Sequence, residues 1–306
     1  MTMTTSLATP TFGQETIDQA DPHGRPPARW AGRCALITGA SQGLGRAFAH
    51  ECARLGMDLL LVALPDSGLG QVAGEVSDGY GVRCEFLEMD LTAPGSPEAL
   101  SRWVSDLGCP LTMLINNAGV SYNSRFEDST LHENESCILL NNLALVQITH
   151  LLLPELRCRD KAYILNVSSL AAFFPMPFVP VYAPSKAFIL NFSLALRQEM
   201  LDSPVRVSVL CPNGIRTNPE VRARIAAHGL ISKLTCIDPE PAAAYALQQT
   251  LAERAIVVPG VLNKAIRILG QYAPRRAIYS VVSALWGKTA TPARAARTPS
   301  RELRPA

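Results

Sequence analysis

Tyr182 and Lys186 are the two side chains whose types and spacing point most directly to chemistry. They stand four residues apart in the segment YAPSK, a spacing that places both on one face of a helix. A free phenol has a pKa near ~10, so a tyrosine that exchanges protons at neutral pH needs that pKa lowered by roughly three units, worth about 4 kcal/mol. An ammonium ~4 Å away contributes about that much at an effective dielectric constant of about 20. The pair therefore predicts a tyrosine general acid or base.

Hydroxyl and amide side chains that could assist the phenol occur at two further places. Ser168 and Ser169 follow a predicted strand, and either hydroxyl could hydrogen-bond a substrate carbonyl, although such a pair is also typical of a turn or cap. Asn141 and Asn142 lie within a predicted helix, where an asparagine side chain is usually solvated or bonded locally. The residues alone do not decide between the members of either pair.

A glycine-rich turn with the features of a phosphate site follows the first predicted strand. It reads TGASQGLG from Thr38 to Gly45, and a predicted helix follows. Glycines allow a tight turn and a close approach of the backbone to a ligand, and a helix N-terminus presents free N–H groups to negative charge. The spacing G-x-x-x-G-x-G differs from the standard G-x-G-x-x-G. The turn predicts a pyrophosphate site, with a ligand-free glycine turn as the simpler alternative.

Polar residues also close the third and fourth predicted strands. Asp90 and Leu91 end the third, where an acidic side chain could meet an adenine, and the segment NNAG from Asn116 to Gly119 ends the fourth. Ligands of open α/β sheets bind outside the carboxyl ends of the strands. These positions therefore extend the predicted nucleotide site.

All these residues depend on an alternation of strand-like and helix-like segments. The predicted strands cover residues 33–38, 58–64, 82–87, 112–116, 161–167, 205–210 and 255–258, and the helices between them include residues 44–55, 97–107, 137–156 and about 181–201. Several strands are continuously apolar, as strands buried on both faces are. The pattern predicts right-handed βαβ units in an α/β fold, a single Rossmann-type doubly wound parallel sheet flanked by helices.

The two ends of the chain differ from this core. Residues 1–29 contain four prolines and no apolar run typical of a secretory signal, and we expect a disordered extension. The predicted domain covers residues 30–287 with a C-terminal helical segment, followed by a basic, proline-rich tail at 288–306. That tail is interpreted as solvated, with a weak contact to anionic lipid as the alternative. Residues 277–286 are apolar but too short to span a bilayer, and could form a packed helix, a dimer contact or an interfacial anchor.

The composition excludes several classes of protein. The chain has 306 residues, 48% hydrophobic and 18% charged, and so has ample material for a core. Lys and Arg number 28 against 26 Asp and Glu, a net charge of +2 that argues against nucleic-acid binding. The eight scattered cysteines form no C-x-x-C pair, which predicts reduced thiols of a cytoplasmic protein and no metal site.

The ordered series of motifs resembles the short-chain dehydrogenase/reductase family over about residues 32–262: TGASQGLG, NNAG, NNLA followed by Leu-Pro, SS, YAPSK and CPNG. The resemblance implies an NAD(P)-dependent oxidoreductase that interconverts a ketone and a secondary alcohol, working as a homodimer or homotetramer. It implies that Tyr182 is the general acid/base and that Lys186 lowers its pKa and holds the nicotinamide ribose. Ser169, chosen over Ser168 by the family spacing, would orient the carbonyl. Asn141, chosen over Asn142, would steady a water in a proton relay.

The resemblance also assigns residues around the cofactor. Those expected at the pyrophosphate and ribose are Gly39, Ser41, Gly43, Leu44 and Gly45; those at the adenine are Asp90 and Leu91; those on the cofactor side are Asn117 and Gly119; those over the nicotinamide are Pro212, Gly214 and Thr217.

Three positions depart from the family pattern. Leu64 ends the second strand where the family has an acid that selects NAD or an arginine that selects NADP; Asp66 comes two residues late, and Gln42 is not basic. The missing acid favours NADP(H) slightly over NAD(H). Asn213 replaces a glycine in the nicotinamide loop, and Pro184 falls between the tyrosine and the lysine, where it is tolerated only in the first turn of a helix.

The substrate is expected to be lipophilic. Residues 171–180 contain three phenylalanines, a methionine and three prolines, which form either an apolar pocket wall for a long acyl, terpenoid or polyketide group, or ordinary packing. Residues 219–234 follow the nicotinamide loop, as substrate lids do in the family. Two other functions remain on the same fold: a catalytically retired NAD(P)-binding scaffold or sensor, against which the complete tetrad argues, and an epimerase or dehydratase with a tightly held cofactor.

Overall fold

A parallel sheet of seven strands carries the site. The computed structural model describes residues 30–216, 235–272 and 276. The strands are β1 (Cys34–Thr38), β2 (Asp58–Ala63), β3 (Cys84–Glu88), β4 (Leu111–Asn116), β5 (Ala162–Val167), β6 (Val205–Leu210) and β7 (Ile256–Val257). They lie in the order β3-β2-β1-β4-β5-β6-β7 with every neighbouring pair parallel. Strands β1 to β3 form one half of the sheet and β4 to β7 the other, and the strand order reverses between the neighbouring strands β1 and β4. The ends of these two strands therefore lie at the switch point where α/β proteins bind nucleotides.

Helices cover both faces of the sheet. They are α1 (Gly43–Arg54), α2 (Leu69–Tyr80), α3 (Ser96–Asp106), α4 (Leu131–Ile138), α5 (Leu145–Arg157), α6 (Tyr182–Glu199), α7 (Pro239–Leu251) and α8 (Val261–Tyr272). The side chains of β1 alternate between the two layers: Ala35 and Ile37 pack with α1, α2 and α7, whereas Cys34 and Leu36 pack with α3 and α5. β1, β4 and β5 are buried along their whole length. The predicted doubly wound Rossmann-type fold is confirmed.

The long helix predicted at residues 137–156 begins earlier and is not regular. α4 starts at Leu131 behind a capping box of Thr130 and Glu133, and a π-helical turn at Leu139–Ala144 separates it from α5. The run Leu131–Arg157 has the length and composition of a membrane-crossing helix, the one such run in the described part of the chain, and 39% of its apolar window is buried inside the fold. Residues such as Ile148 and Leu152 pack on the sheet, as in the core helix of a globular domain.

Helices α2 and α7 were not among the predicted helices, whereas α8 lies in the part of the domain where a C-terminal helical segment was expected. α2 contains three glycines, which lower its intrinsic helix propensity, yet Leu69, Val72, Ala73 and Val76 pack one face of it on the sheet. Packing therefore outweighs propensity here. α7 is alanine-rich and buries Ala242, Ala243, Ala246 and Leu247 in the core. Thr217, the lid expected at 219–234 and the terminal segments 1–29 and 277–306 lie outside the described residues.

Candidate active site

The glycine-rich turn has a backbone that only glycine accommodates. Gly39 and Gly43 have φ angles of 67° and 55°, in the left-handed region. A Cβ on Gly39 would lie 2.9 Å from the Cα of Ala118, and one on Gly45 would overlap the Gly39 carbonyl oxygen. α1 begins at Gly43, and the side chain of its N-cap residue Gln42 makes no capping bond. The first N–H groups of α1 are therefore not bonded by a side-chain cap and suit an anion.

Thr38 and Asn117 join the ends of β1 and β4 under this turn. The Thr38 hydroxyl accepts hydrogen bonds from the backbone N–H groups of Asn117 and Ala118, both at 3.0 Å. The Asn117 amide donates to the carbonyls of Thr38 and Gly39 at 2.9 and 3.0 Å. Asn117 thus shapes the cofactor side of the site through the backbone, and Thr38, which the sequence prediction left without a role, does the same.

The remaining nucleotide positions end up in different surroundings. Asp90 is exposed and its carboxylate accepts from the backbone N–H and the hydroxyl of Thr92, at 2.9 and 2.7 Å. The Leu91 side chain packs in the core, so its predicted contact with an adenine could come only from its backbone. Ser41 is half-buried at the turn and Leu44 is buried within α1.

Tyr182 and Lys186 stand at the start of α6, above the end of β5. The Lys186 Nζ atom lies 5.7 Å from the centre of the Tyr182 ring and donates to the carbonyl of Val167 at 3.0 Å. Tyr182 is the first residue of α6. Pro184 therefore occupies the first turn, where its missing N–H removes no helical hydrogen bond.

Asn141 is fully buried in the π-helical turn and bonds to one residue with both ends of its amide. Its oxygen accepts from the N–H of Val120 at 2.9 Å, and its nitrogen donates to the Val120 carbonyl at 3.0 Å and to the Ser185 hydroxyl at 3.0 Å. Asn142 instead donates to the Ser185 carbonyl at 2.9 Å. π-helical turns occur frequently at functional sites. Both asparagines hold this turn against the start of α6.

The two serines after β5 are also in different positions. Ser168 is buried and its hydroxyl donates to the Lys186 carbonyl at 2.6 Å, which fixes α6 on the strand end. Ser169 is half-buried and caps the short 3-10 helix Leu170–Phe173, its oxygen accepting from the N–H of Ala171 at 3.1 Å. The Ser169 O–H is still a donor in this arrangement.

Burial dominates the electrostatics around Lys186. Removal from water lowers the pKa of the Lys186 ammonium to about 8, against a small opposing effect of Cys137 and Cys211. The same burial raises the pKa of the Cys137 thiol. A lysine with this pKa is still mostly charged at neutral pH, so it presents a desolvated positive charge beside the Tyr182 ring.

Gly119 packs closely against the same groups, and its lack of a side chain is what makes room for them. A Cβ there would lie 3.0 Å from the Asn141 Oδ1 atom and 3.3 Å from the Lys186 Nζ atom. Together with the glycine turn, this cradle at the ends of β4 and β5 fits a dinucleotide. Lys186 would hold the hydroxyls of its ribose, as the sequence predicted.

A shallow surface cleft lies next to Tyr182. Its lining was largely missed from sequence: Tyr122, Ser124, Phe126, Ser129, Asn134, Cys137, Pro180 and Val181 join Tyr182 around it. Most of these come from the loop after β4 and from α4, neither of which carries a recognised motif. Cys137 could have been found, since it precedes Asn141 by one helical turn.

The apolar segment 171–180, predicted as a pocket wall, has two roles in the structure: its first half packs in the core, and its end lines the cleft. Phe173 and Phe174 pack against the core cluster that includes Leu170 and Ile189. The Arg267 guanidinium lies 5.5 Å from the centre of the Phe173 ring. Pro180 lines the cleft. The alternative of ordinary packing thus accounts for the first half of the segment.

The nicotinamide loop after β6 is tied to its surroundings on both sides. The Pro212 carbonyl accepts from the N–H of Leu170 at 2.7 Å, and the Gly214 carbonyl accepts from that of Ile237 at 3.1 Å. Asn213, the residue that replaces a glycine, donates to Asn263 of α8 at 3.4 Å. The substitution therefore links this loop to α8.

Comparison with known proteins gives a family and several relatives. A family model described as short chain dehydrogenase matches residues 33–226. The chain is 31% identical to Ketoacyl reductase HetN of Nostoc sp., over 79% of this chain and 86% of the relative. It is 33% identical to 17-beta-hydroxysteroid dehydrogenase type 3 of Homo sapiens, over 62% of this chain and 61% of the relative. A solved short-chain dehydrogenase from Sphingobium yanoikuyae in complex with NADPH is 28% identical, with a TM-score of 0.69 over 90% of this chain and 100% of that one.

The chain belongs to the short-chain dehydrogenase/reductase family. The resemblance seen in the sequence is thereby confirmed, and the protein is an NAD(P)-dependent oxidoreductase acting on ketones and alcohols. Within residues 30–216 and 235–272, no group of three or more His, Cys, Asp or Glu side chains is placed to hold a metal ion. The roles of the individual site residues stay predictions.

Replacing Lys186 by methionine should stabilise the ligand-free protein while removing activity. The folded-state pKa of about 8 is below the ordinary value of 10.5, so the folded protein binds fewer protons than the unfolded chain between these pH values. Wild-type stability therefore rises through that window, and below pH 8 the full penalty of about 3 kcal/mol applies. After loss of the hydrogen bond to Val167, we expect a gain of about 2 kcal/mol at pH 7 that shrinks towards pH 10.5. Urea unfolding at several pH values measures it.

Lys161→Met is the matched control for this measurement. Lys161 pairs with Glu253 at 2.8 Å near the surface, and this contact raises the pKa of the lysine. Its loss should leave stability unchanged or slightly lower, with no gain at pH 7. A Lys186→Met protein that is less stable than wild type at every pH would contradict the proposed penalty.

Proposed function

We propose that the protein reduces lipophilic ketones to secondary alcohols, or catalyses the reverse reaction, with Tyr182 as the proton donor and acceptor. The observation that carries this proposal is the buried Lys186 ammonium beside the ring of Tyr182, which itself lines the cleft. A desolvated cation favours the phenolate and so prepares the phenol to exchange its proton at neutral pH.

The other residues prepare the reaction around that pair. NAD(P)H, when bound, supplies the hydride. Ser169 donates a hydrogen bond that orients the substrate carbonyl, and Tyr182 transfers the one proton that its oxygen receives. Asn141 would steady a water in the relay that returns a proton to the Tyr182 phenolate. Ser185 positions these groups, because its hydroxyl accepts from Asn141 and donates to the Tyr182 carbonyl at 2.7 Å.

Two lines of support favour a lipophilic substrate. The relatives are named for a ketoacyl reductase and a hydroxysteroid dehydrogenase, whose substrates are apolar carbonyl compounds. The cleft beside Tyr182 is lined in part by the apolar side chains of Phe126, Pro180 and Val181. All eight cysteines are free thiols, which fits our proposal of a reducing cytoplasmic location.

Tyr182→Phe should abolish turnover and leave cofactor binding intact. Without the phenolic proton the alcohol oxygen has no acid or base, and we expect kcat to fall by at least ~10²-fold. The assay follows NADPH absorbance on a panel of ketones graded by chain length, with binding measured separately by fluorescence. Tyr80→Phe, on α2 beside His50, is the matched control and should behave as wild type.

The outcome also separates the other two functions. Undiminished turnover by Tyr182→Phe would end the proposal. Cofactor binding with no turnover of any substrate by the wild type would favour a scaffold or sensor. Product formed without stoichiometric consumption of NAD(P)H would favour an epimerase or dehydratase.

We further propose NADP(H) as the preferred cofactor. Leu64, 57% exposed just after β2, presents no carboxylate that would repel a 2′-phosphate. Leu64→Asp should therefore reverse the preference, raising the Kd for NADPH at least ~10-fold relative to NADH. Leu64→Asn is the neutral control and should leave the ratio within about twofold. Titration of both cofactors against all three proteins gives the ratios, and an unchanged ratio in Leu64→Asp excludes this position.

The described surface also supports the expected homo-oligomer. Ile138 of α4, Leu143 of the π-helical turn and Phe188 of α6 are large apolar side chains exposed on adjacent elements, and Phe188 stacks on Phe192 at 6.1 Å. We propose that a second copy of the chain covers this face. Phe188→Glu should shift the mass in light scattering to that of the monomer, because it buries a charge at the interface. Leu201→Glu, at an exposed position after α6, should not, and equal masses for all three proteins would contradict the proposal.

A further inference from the structure

Helix α8 presents its apolar side to the solvent. Val261, Ala265, Ile268, Leu269 and Tyr272 recur at helical spacing and form one exposed stripe. The exposed fractions are 83% for Val261, 55% for Ile268, 66% for Leu269 and 83% for Tyr272. We define these five residues as the α8 stripe. A helix on the surface of a globular domain normally has the opposite arrangement, with the apolar face turned inwards.

The opposite side of α8 is fixed to the domain. Asn263 is buried and donates to the carbonyls of Thr235 and Pro259, both at 2.9 Å. Ile266 packs on the core cluster around Leu170. Gly270 approaches the Phe174 ring so closely that a Cβ there would overlap the ring. The orientation of α8 is therefore set by these contacts, and the α8 stripe cannot turn inwards without breaking them.

The positive charge of the sequence is concentrated from the start of α8 to the C-terminal end. From residue 261 to the end the sequence has nine Lys and Arg and one acidic residue, Glu302, a net charge of +8, whereas residues 1–260 have 19 against 25, a net charge of −6. Within α8 itself there are two basic residues and no acidic one; Lys264 is exposed and lies 5.5 Å from the centre of the Tyr245 ring. The net charge of +2 for the whole chain conceals the difference between these two parts of the sequence.

We propose that α8 and the basic segment after it dock the protein on an anionic lipid surface. An exposed apolar stripe on a helix without acidic residues, followed by a strongly basic segment, is the pattern of helices that lie in the headgroup region of a membrane. The lipid would cover the α8 stripe, and the anionic headgroups would pair with the basic residues. A cover made by another part of the chain or by a second copy would account for the stripe but not for the charge of +8.

The location of α8 gives this docking a consequence for the enzyme. α8 contacts the nicotinamide loop through Asn213 and Asn263, and it contacts the segment after Ser169 through Arg267 and Phe173. A docked membrane would lie on the side of α8 that faces away from these contacts, so α8 would separate it from the apolar segment that follows Ser169. Docking would thus hold α8, and through it the nicotinamide loop, at the lipid surface, where a membrane-dissolved ketone is concentrated. This consequence rests on the proposed function, whereas the docking itself does not.

Vesicle flotation of the full chain tests the docking without reference to activity. The vesicles are made of phosphatidylcholine alone or of phosphatidylcholine with about 30 mol% phosphatidylglycerol. We expect the wild type to float with the anionic vesicles, to float at least ~10-fold less with the neutral ones, and to be released by added salt. The variant Ile268→Ser/Leu269→Ser should lose at least ~10-fold in binding to anionic vesicles, since it removes two apolar side chains from the stripe.

Two further variants make the result specific. Leu201→Ser removes an exposed apolar side chain elsewhere and should bind as wild type. Arg294→Glu/Arg297→Glu reverses two tail charges and should weaken binding to anionic vesicles alone. Thermal unfolding and turnover of a water-soluble ketone should be unchanged in all of them.

The other possible covers of the α8 stripe give different results. A lower melting temperature of Ile268→Ser/Leu269→Ser without vesicle binding by the wild type indicates that the chain covers its own stripe. A change of mass in light scattering without vesicle binding indicates a second copy. Either result, or equal binding to neutral and anionic vesicles, overturns the proposal. Loss of turnover with intact flotation would instead contradict the proposed function alone.

Discussion

The site depends on one buried lysine that has no carboxylate partner within residues 30–216 and 235–272. The Lys186 ammonium is held in the interior by a backbone carbonyl at the end of β5, and burial lowers its pKa. Such a group destabilises the folded protein unless something compensates for its lost hydration. The Val167 carbonyl is the one hydrogen-bond acceptor of the ammonium among the described residues, while Ser168 bonds the Lys186 carbonyl and Asn142 bonds that of Ser185, so that the start of α6 is held in place around the lysine. The burial that lowers stability also strengthens the interaction of the Lys186 charge with the Tyr182 phenol, which is the interaction that the proposed proton transfer needs.

The irregular helix between α4 and α5 follows from the same requirement. Asn141 must bond Val120 in the loop after β4 and Ser185 in the first turn of α6 at once. The π-helical turn at Leu139–Ala144 contains Asn141 and interrupts the α-helical hydrogen bonding at the site. Its extra residue changes which side chains face α6, so that Asn141 and Asn142 both reach it. In a regular α-helix, consecutive side chains point about 100° apart, and there is no extra residue to change the direction of either asparagine.

The surface of the domain divides by charge and by polarity. Among the exposed apolar residues of the described chain, two groups lie together on neighbouring elements: one area is on α4, the π-helical turn and α6, and the other is on α8. The first area has no strong net charge. The two acidic residues of α4 are nearly balanced by α6, which has two basic residues and one acidic residue. The second is accompanied by the basic C-terminal segment. This difference is the reason for assigning a second copy of the chain to the first area and a lipid surface to the second. Asn213 connects the second area to the nicotinamide loop by a residue that departs from the family pattern.

The sequence by itself determined the fold and predicted Tyr182 and Lys186 as the reactive pair. Continuous apolar runs define buried parallel strands, and glycines at Gly39, Gly43 and Gly45 leave few alternatives to a tight turn at a nucleotide, because these signals are local. Only the tertiary structure decided which serine caps a turn and which anchors α6, where the π-helical turn falls, that Leu91 packs in the core, and that the α8 stripe faces outwards. Each of these depends on contacts between segments far apart in the chain, such as Asn141 with Ser185 and Gly270 with Phe174. Periodicity reports that a helix has two faces, but which of them turns inwards is set by what the rest of the fold offers to pack against.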